Sequence, residues 1–142
     1  MKYEHIILEI HNKIAFIKFN RPEQLNAMNA FMMDEIIHAL DFVNKADSQE
    51  IGVVVITGAG KAFMAGADIK EYAQQTEAQF DAFQLKGHSL YAGIENNSKV
   101  VIAAINGYAF GGGFEIAIAC DMIVASAGAK MGLPEILLNL IP

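Results

Sequence analysis

Three times between Ile51 and Pro142 the chain follows one plan: an apolar strand, a turn of small residues, a short apolar segment, and a helix start marked by a carboxylate. Residues 51–56, 100–105 and 122–125 are the strands, and Asp68, Glu115 and Glu135 mark the helix starts. Such a layout restricts the fold more than any single motif, because each unit is too small to bury its own apolar face and must stack on the next. The expected architecture is α/β, a spiral of strand-strand-helix units in one domain spanning residues 1–142. The shared layout puts the three turns along one side of a stacked sheet, where one cleft can collect them.

Ahead of the repeat, two apolar stretches, 6–10 and 14–19, flank polar His11-Asn12-Lys13 and read as antiparallel strands joined by a tight hairpin. Met32, Met33, Ile36, Ile37, Leu40 and Val43 then recur at helical spacing behind Asn29. Asn29 is the expected cap, with Asp34 and Glu35 favoured by the positive end, and the helix should pack on the sheet. Residues 44–50 form a polar loop. Phe80, Phe83, Leu90, Tyr91 and Ile94 mark a long amphipathic helix from 77 to 95, interrupted or bent near Gly87.

Charge and composition exclude several function classes. The chain is 54% hydrophobic with a net charge of −6, and its lysines are scattered, so there is no positive stripe for nucleic acid or an anionic membrane. Residues 1–9 show neither a signal-peptide nor a transit-peptide pattern, and no run has membrane-spanning length. The single cysteine, Cys120, can form no internal disulfide, which fits a reducing, cytoplasmic setting. In its apolar run it reads as a small buried core residue rather than a nucleophile. His5, His11, His38 and His88 show no metal-ligand spacing, and no metal site is expected.

The chemistry concentrates at Gly111-Gly112-Gly113-Phe114-Glu115, where three residues without side chains open a helix and a carboxylate follows. Two uses fit these glycines: they permit close packing, or their free N–H groups at the positive helix end donate to an anion or a polarised carbonyl. Gly58-Ala59-Gly60-Lys61 is a decoy. A phosphate-binding loop would need glycine at Val55 and Ser or Thr at Ala62, and a dinucleotide fold would need glycine at Phe63. Read alone, Glu115 and Glu135 could simply occupy favourable first-turn positions.

Four segments together resemble the enoyl-CoA hydratase/isomerase, or crotonase, family: Asn20-Arg21-Pro22 with Leu25-Asn26-Ala27-Met28, residues 62–71, residues 106–115, and Gly132-Leu133-Pro134-Glu135-Ile136. The resemblance implies a crotonase-like spiral and an oxyanion hole made by the N–H groups of Ala67 and Gly112. Glu115 would activate water and Glu135 would deliver a proton to the substrate's Cα. The implied substrate is a short or medium acyl-CoA thioester lying against Gln24, Leu25, Ala27, Ala65, Ala67, Asp68, Ile69, Lys70, Phe110, Gly111, Gly112, Pro134 and Leu138. Coenzyme A is part of the substrate, so no separate cofactor is implied, and members commonly form homo-trimers or hexamers. Retention of both glutamates favours hydration over double-bond isomerisation, which needs one acid/base. The chain departs from the family in length, ending about where the carboxy-terminal helices would begin; the expectation is thus a truncated spiral, and a non-catalytic acyl-CoA-binding or interaction fragment is the third reading.

Overall fold

In the computed structural model, which describes residues 2–138 and 141–142, the hairpin forms as expected. Strands β1 (Ile6–His11) and β2 (Ile14–Phe19) pair antiparallel from Ile6 opposite Phe19 to His11 opposite Ile14. Asn12 and Lys13 turn the chain with φ of 49° and 68°, the left-handed pair that matches a two-residue hairpin to the twist of its strands. A short 3-10 helix, Pro22–Gln24, leads to helix α1 (Ala30–Lys45). The Asn29 side chain caps α1 by accepting the Met32 N–H at 2.8 Å, and Met32, Met33, Ile36, Ala39, Leu40 and Val43 are buried.

Asp34 and Glu35 do not serve the positive end of α1. The Glu35 carboxylate instead accepts the backbone N–H groups of Glu4 and His5, each at 2.7 Å, and Asp34 meets Lys86 at 2.7 Å. Unpaired backbone donors and a nearby ammonium offered these carboxylates stronger partners than a helix dipole beyond its first turn.

Three units follow. The first is β3 (Val53–Gly58), β4 (Ala62–Met64), the single-turn helix α2 (Ile69–Tyr72) and helix α3 (Glu77–Glu95). The second is β5 (Val100–Ile105), β6 (Tyr108–Phe110) and helix α4 (Gly112–Ala119). The third is β7 (Met122–Ala125), β8 (Lys130–Gly132) and a second 3-10 helix, Pro134–Leu138. One sheet has the order β1-β2-β3-β5-β7, parallel from β2 onward, and the other is the parallel β4-β6-β8. Each unit therefore adds one strand to each sheet and then a helix, which is the expected spiral.

Two boundaries differ from expectation. β3 begins at Val53 rather than Ile51, because the Glu50 and Ile51 N–H groups both close a turn onto the Asp47 carbonyl at 2.9 Å. It continues through Thr57 and Gly58, which stay paired with Lys18 and Phe19. Helix α3 runs unbroken through Gly87. One interior glycine costs about 1 kcal/mol, and a nineteen-residue helix closed by a Thr76–Gln79 capping box tolerates it.

Residues 20–28 are tied to the first unit by a buried knot. Asn26 is fully buried; its side chain accepts the Arg21 N–H at 2.9 Å and donates to the carbonyls of Ala59 and Ala62 at 2.9 and 2.8 Å. Leu25 and Asn26 reach this position with φ of 51° and 57°, which asparagine tolerates and alanine resists. Asn26→Ala should therefore lower stability by about 2–3 kcal/mol, since the Arg21 N–H and the Ala59 carbonyl lose this partner and the Ala62 carbonyl keeps only Asn106 at 3.3 Å. Urea denaturation would show this as a fall in the midpoint at unchanged slope.

Candidate active site

The three glycines divide the two uses between them. Gly111, the N-cap of α4, has φ 52° and ψ −131°, a conformation that side chains do not reach without strain. A Cβ on Gly113 would lie 2.2 Å from the Met64 carbonyl oxygen, so this glycine lets α4 sit directly on β4. Gly112 carries neither constraint; its Cβ would meet only the movable Cε of Met28 at 2.9 Å and, further off, the Tyr91 hydroxyl and a Glu115 oxygen. Its N–H, the first of α4, has no acceptor among the described residues.

A second unused donor lies on the neighbouring segment. Met28 bridges to Ala67 in parallel, accepting the Asp68 N–H and donating to the Gly66 carbonyl, each at 2.8 Å. Successive peptide groups of an extended chain point to opposite sides, so with its two flanking groups turned to Met28 the Ala67 N–H faces the other way. It too has no acceptor among the described residues. The two segments run side by side: a Cβ on Gly111 would be 3.8 Å from Gly66 Cα, and one on Gly66 would be 3.3 Å from the Phe110 carbonyl.

The carboxylates flank this pair. Glu135, in the first turn of the second 3-10 helix, brings Oε1 to 2.7 Å from where a Gly111 Cβ would lie, and its Oε2 is buried without a hydrogen-bond partner among the described residues. Glu115 brings Oε2 to 3.5 Å from the corresponding point on Gly112 and accepts the Tyr91 hydroxyl at 2.8 Å. Burial first, and then the Glu115 charge, its hydrogen bond and the Glu135 charge, hold the Tyr91 phenol well above the ordinary tyrosine range. Both acids therefore act on one phenol, Glu135 beside Gly111 and Glu115 beside Gly112.

The remaining expected contacts lie around a more polar neighbouring region. Arg21 pairs with Asp68 at 3.0 Å and also donates to the Ala27 carbonyl, while Ala65 N–H bonds to the Leu25 carbonyl at 3.1 Å. Asp68 caps α2. Arg21, Gln24, Asp68 and Lys70 line an open cleft of about 750 Å³ with Asn20 and Gln74. Ile69 is exposed, Phe110 ends β6, and Pro134 starts the second 3-10 helix. The Leu138 side chain lies outside the described residues. Neither glutamate lines the open cleft, so the residues form two adjoining regions rather than one pocket.

One functional-looking residue, Tyr91, escapes a reading of the sequence, and two more, Arg21 and Asn26, are visible there only as part of a family-like segment. Tyr91 reads as one more apolar position of α3, and only its packing against α4 reveals the phenol on Glu115. Arg21 and Asn26 acquire their partners only when the loop meets β4 and Ala67–Asp68. Cys120, expected in the core, is half-buried at the end of α4; its thiol donates to the Ile116 carbonyl, and burial and then Asp121 push its pKa up to about 12. Among the described residues no group of three or more His, Cys, Asp and Glu side chains is placed to hold a metal ion, and no helix is long and apolar enough to cross a membrane.

Comparison with known proteins places this geometry in context. Residues 9–142 match the family described as enoyl-CoA hydratase/isomerase. The chain is 42% identical over its full length to a probable enoyl-CoA hydratase of Mycobacterium bovis, covering 54% of that protein. It is 41% identical over 143 aligned residues to a crotonyl-CoA hydratase of Syntrophomonas wolfei, again covering 54%. The crystal structure of an enoyl-CoA hydratase from Bacillus anthracis superposes with a TM-score of 0.94 at 36% identity, covering 98% of this chain and 54% of that one. The chain thus spans about half the length of the relatives it matches.

Proposed function

Because the chain belongs to the enoyl-CoA hydratase/isomerase family, we propose that the protein adds water across the 2,3 double bond of a short or medium enoyl-CoA thioester. The observation that carries the reading is the pair of N–H groups at Ala67 and Gly112, without acceptors among the described residues, with Glu135 beside Gly111 and Glu115 beside Gly112. Addition of water at Cβ drives negative charge onto the thioester oxygen. Two fixed donors would stabilise that charge, each by roughly 3 kcal/mol. Water must lose a proton while Cα gains one, which is work for one carboxylate and one carboxylic acid. Glu115, whose second oxygen has no hydrogen-bond partner among the described residues, is assigned the water, and Glu135 the proton for Cα.

The adjoining cleft supports the other end of such a ligand. A thioester at the glycine turn would extend its coenzyme A past Ala65 and Ala67 towards Gln24 and Lys70, which can meet phosphates, while Arg21 is held by Asp68, and Glu4, Glu23 and Glu71 also line the cleft. The reading carries with it no cofactor beyond coenzyme A, a reducing cytoplasmic setting, and a homo-trimer or hexamer; exposed Ile118, Met122, Ile123 and Val124 are compatible with subunit contact. Offering the protein a 3-enoyl-CoA beside a 2-enoyl-CoA separates the alternatives. Hydroxyacyl product from the 2-enoyl substrate is expected; 2-enoyl isomer alone would indicate an isomerase. Calorimetric binding without any turnover would indicate a non-catalytic fragment.

A further inference from the structure

We propose that Tyr91 is the positioning residue of Glu115, its hydroxyl engaging Oε2 so that Oε1 is presented to the attacking water. This rests on the hydratase reading for its kinetic consequence and on geometry alone for the contact.

The phenol is the only hydrogen-bond donor that Glu115 meets among the described residues, at 2.8 Å from Oε2. It therefore distinguishes two otherwise equivalent oxygens. A carboxylate on a short helix turns freely about its side-chain bonds, and a general base needs one lone pair held within hydrogen-bond reach of its proton. The partner is neutral, which matters as much as the geometry. A lysine or arginine at this place would hold the carboxylate ionised at the expense of its basicity, whereas a phenol fixes its direction at smaller cost.

The surroundings keep the arrangement in one state. Tyr91 is half-buried on the face of α3 that packs against α4, between buried Leu90 and Ile94, so its ring is anchored by the core. The titratable groups facing the phenol are Glu115 from α4 and Glu135 from the second 3-10 helix. The strands packed on α4 bring no further charge: β4, β5 and β7 are apolar, and Tyr108 of β6 stacks on Phe110 at 6.1 Å. With its ionisation held far above the ordinary range, the phenol stays a donor throughout the pH span of catalysis and is unsuited to act as an acid itself.

Tyr91→Phe keeps the ring and removes only the donor. The expected kinetic result is a loss of about tenfold to a hundredfold in kcat, the range of one charge-assisted hydrogen bond, with KM changed less than about twofold. The acidic limb of the kcat/KM profile should also change, because the base loses its one donor among the described residues. A structural role would instead lower the melting temperature and leave the pH profile in place. Carbon-13 labelling at tyrosine Cζ gives a readout that needs no turnover: the Tyr91 resonance should move in Glu115→Gln, where a neutral amide replaces the carboxylate that accepts its hydroxyl. Unchanged kcat and pH profile in Tyr91→Phe, or a Tyr91 resonance indifferent to Glu115→Gln, would overturn the inference. If the parent protein shows no turnover, the hydratase reading fails and the Tyr91 resonance alone decides the contact.

Discussion

Glu115→Gln and Glu135→Gln are each expected to reduce the hydration of crotonyl-CoA by about 10²–10⁴-fold while leaving thioester binding close to that of the parent. Glutamine matches the shape of glutamate and keeps a hydrogen-bonding end, so packing around the glycine turn is preserved. What it removes is the ability to take a proton or to give one. Glu135 offers the more severe test, because its Oε2 is buried with no partner among the described residues and its Oε1 lies beside Gly111. An unpartnered buried oxygen is costly in a folded chain unless a ligand completes it. Stopped-assay kinetics with both variants, beside calorimetry with a non-reactive thioester, separates loss of chemistry from loss of binding. Near-parental turnover in either variant would remove that glutamate from the mechanism.

The second large effect is expected from the backbone. Gly112→Pro should lower kcat by about 10²–10³-fold, the cost of one oxyanion donor. Proline is tolerated at the first residue of a helix, where the N–H is not part of the helical ladder. The necessary control is Gly112→Ala, which adds the same Cβ against Met28 Cε at 2.9 Å but keeps the N–H. If the alanine variant retains most of the activity and the proline variant does not, the difference belongs to the donor. Equal losses would mean that space around Met28, rather than the N–H, governs the site. The same pair of substitutions at Gly113 would not be informative, since any Cβ there meets the Met64 carbonyl at 2.2 Å and disturbs the packing of α4 on β4.

The repeat, the hairpin, the helix from Glu77 to Glu95 and the helix starts at Asp68, Glu115 and Glu135 were legible because each depends on neighbours close in sequence. Apolar runs, a cap at Asn29 and turn residues at Asn12-Lys13 carry their own local preference. Features that depend on stacking were not. The start of β3 moved because Asp47 captured the Ile51 N–H, an event set by the turn after α1. Asn26 was visible only as part of a family-like segment, and its partners, the Ala59 and Ala62 carbonyls, come from the next unit. Tyr91 shares its helical spacing with Phe83, Leu90 and Ile94, and periodicity cannot tell a phenol that fills a core from one that reaches across to a carboxylate. The pairing of Ala67 with Gly112 was read from family resemblance; its physical basis is two adjacent segments of separate units, each with one N–H left over.

The most direct measurement is the fate of crotonyl-CoA given to the purified protein in deuterated water enriched in oxygen-18. The predicted result is loss of the conjugated thioester absorbance with formation of a 3-hydroxyacyl-CoA that carries one solvent oxygen at Cβ and one solvent deuterium at Cα. Recovery of the enoyl thioester without solvent oxygen, with or without deuterium exchanged into it, would contradict the assignment of this glycine turn and its two glutamates to hydration.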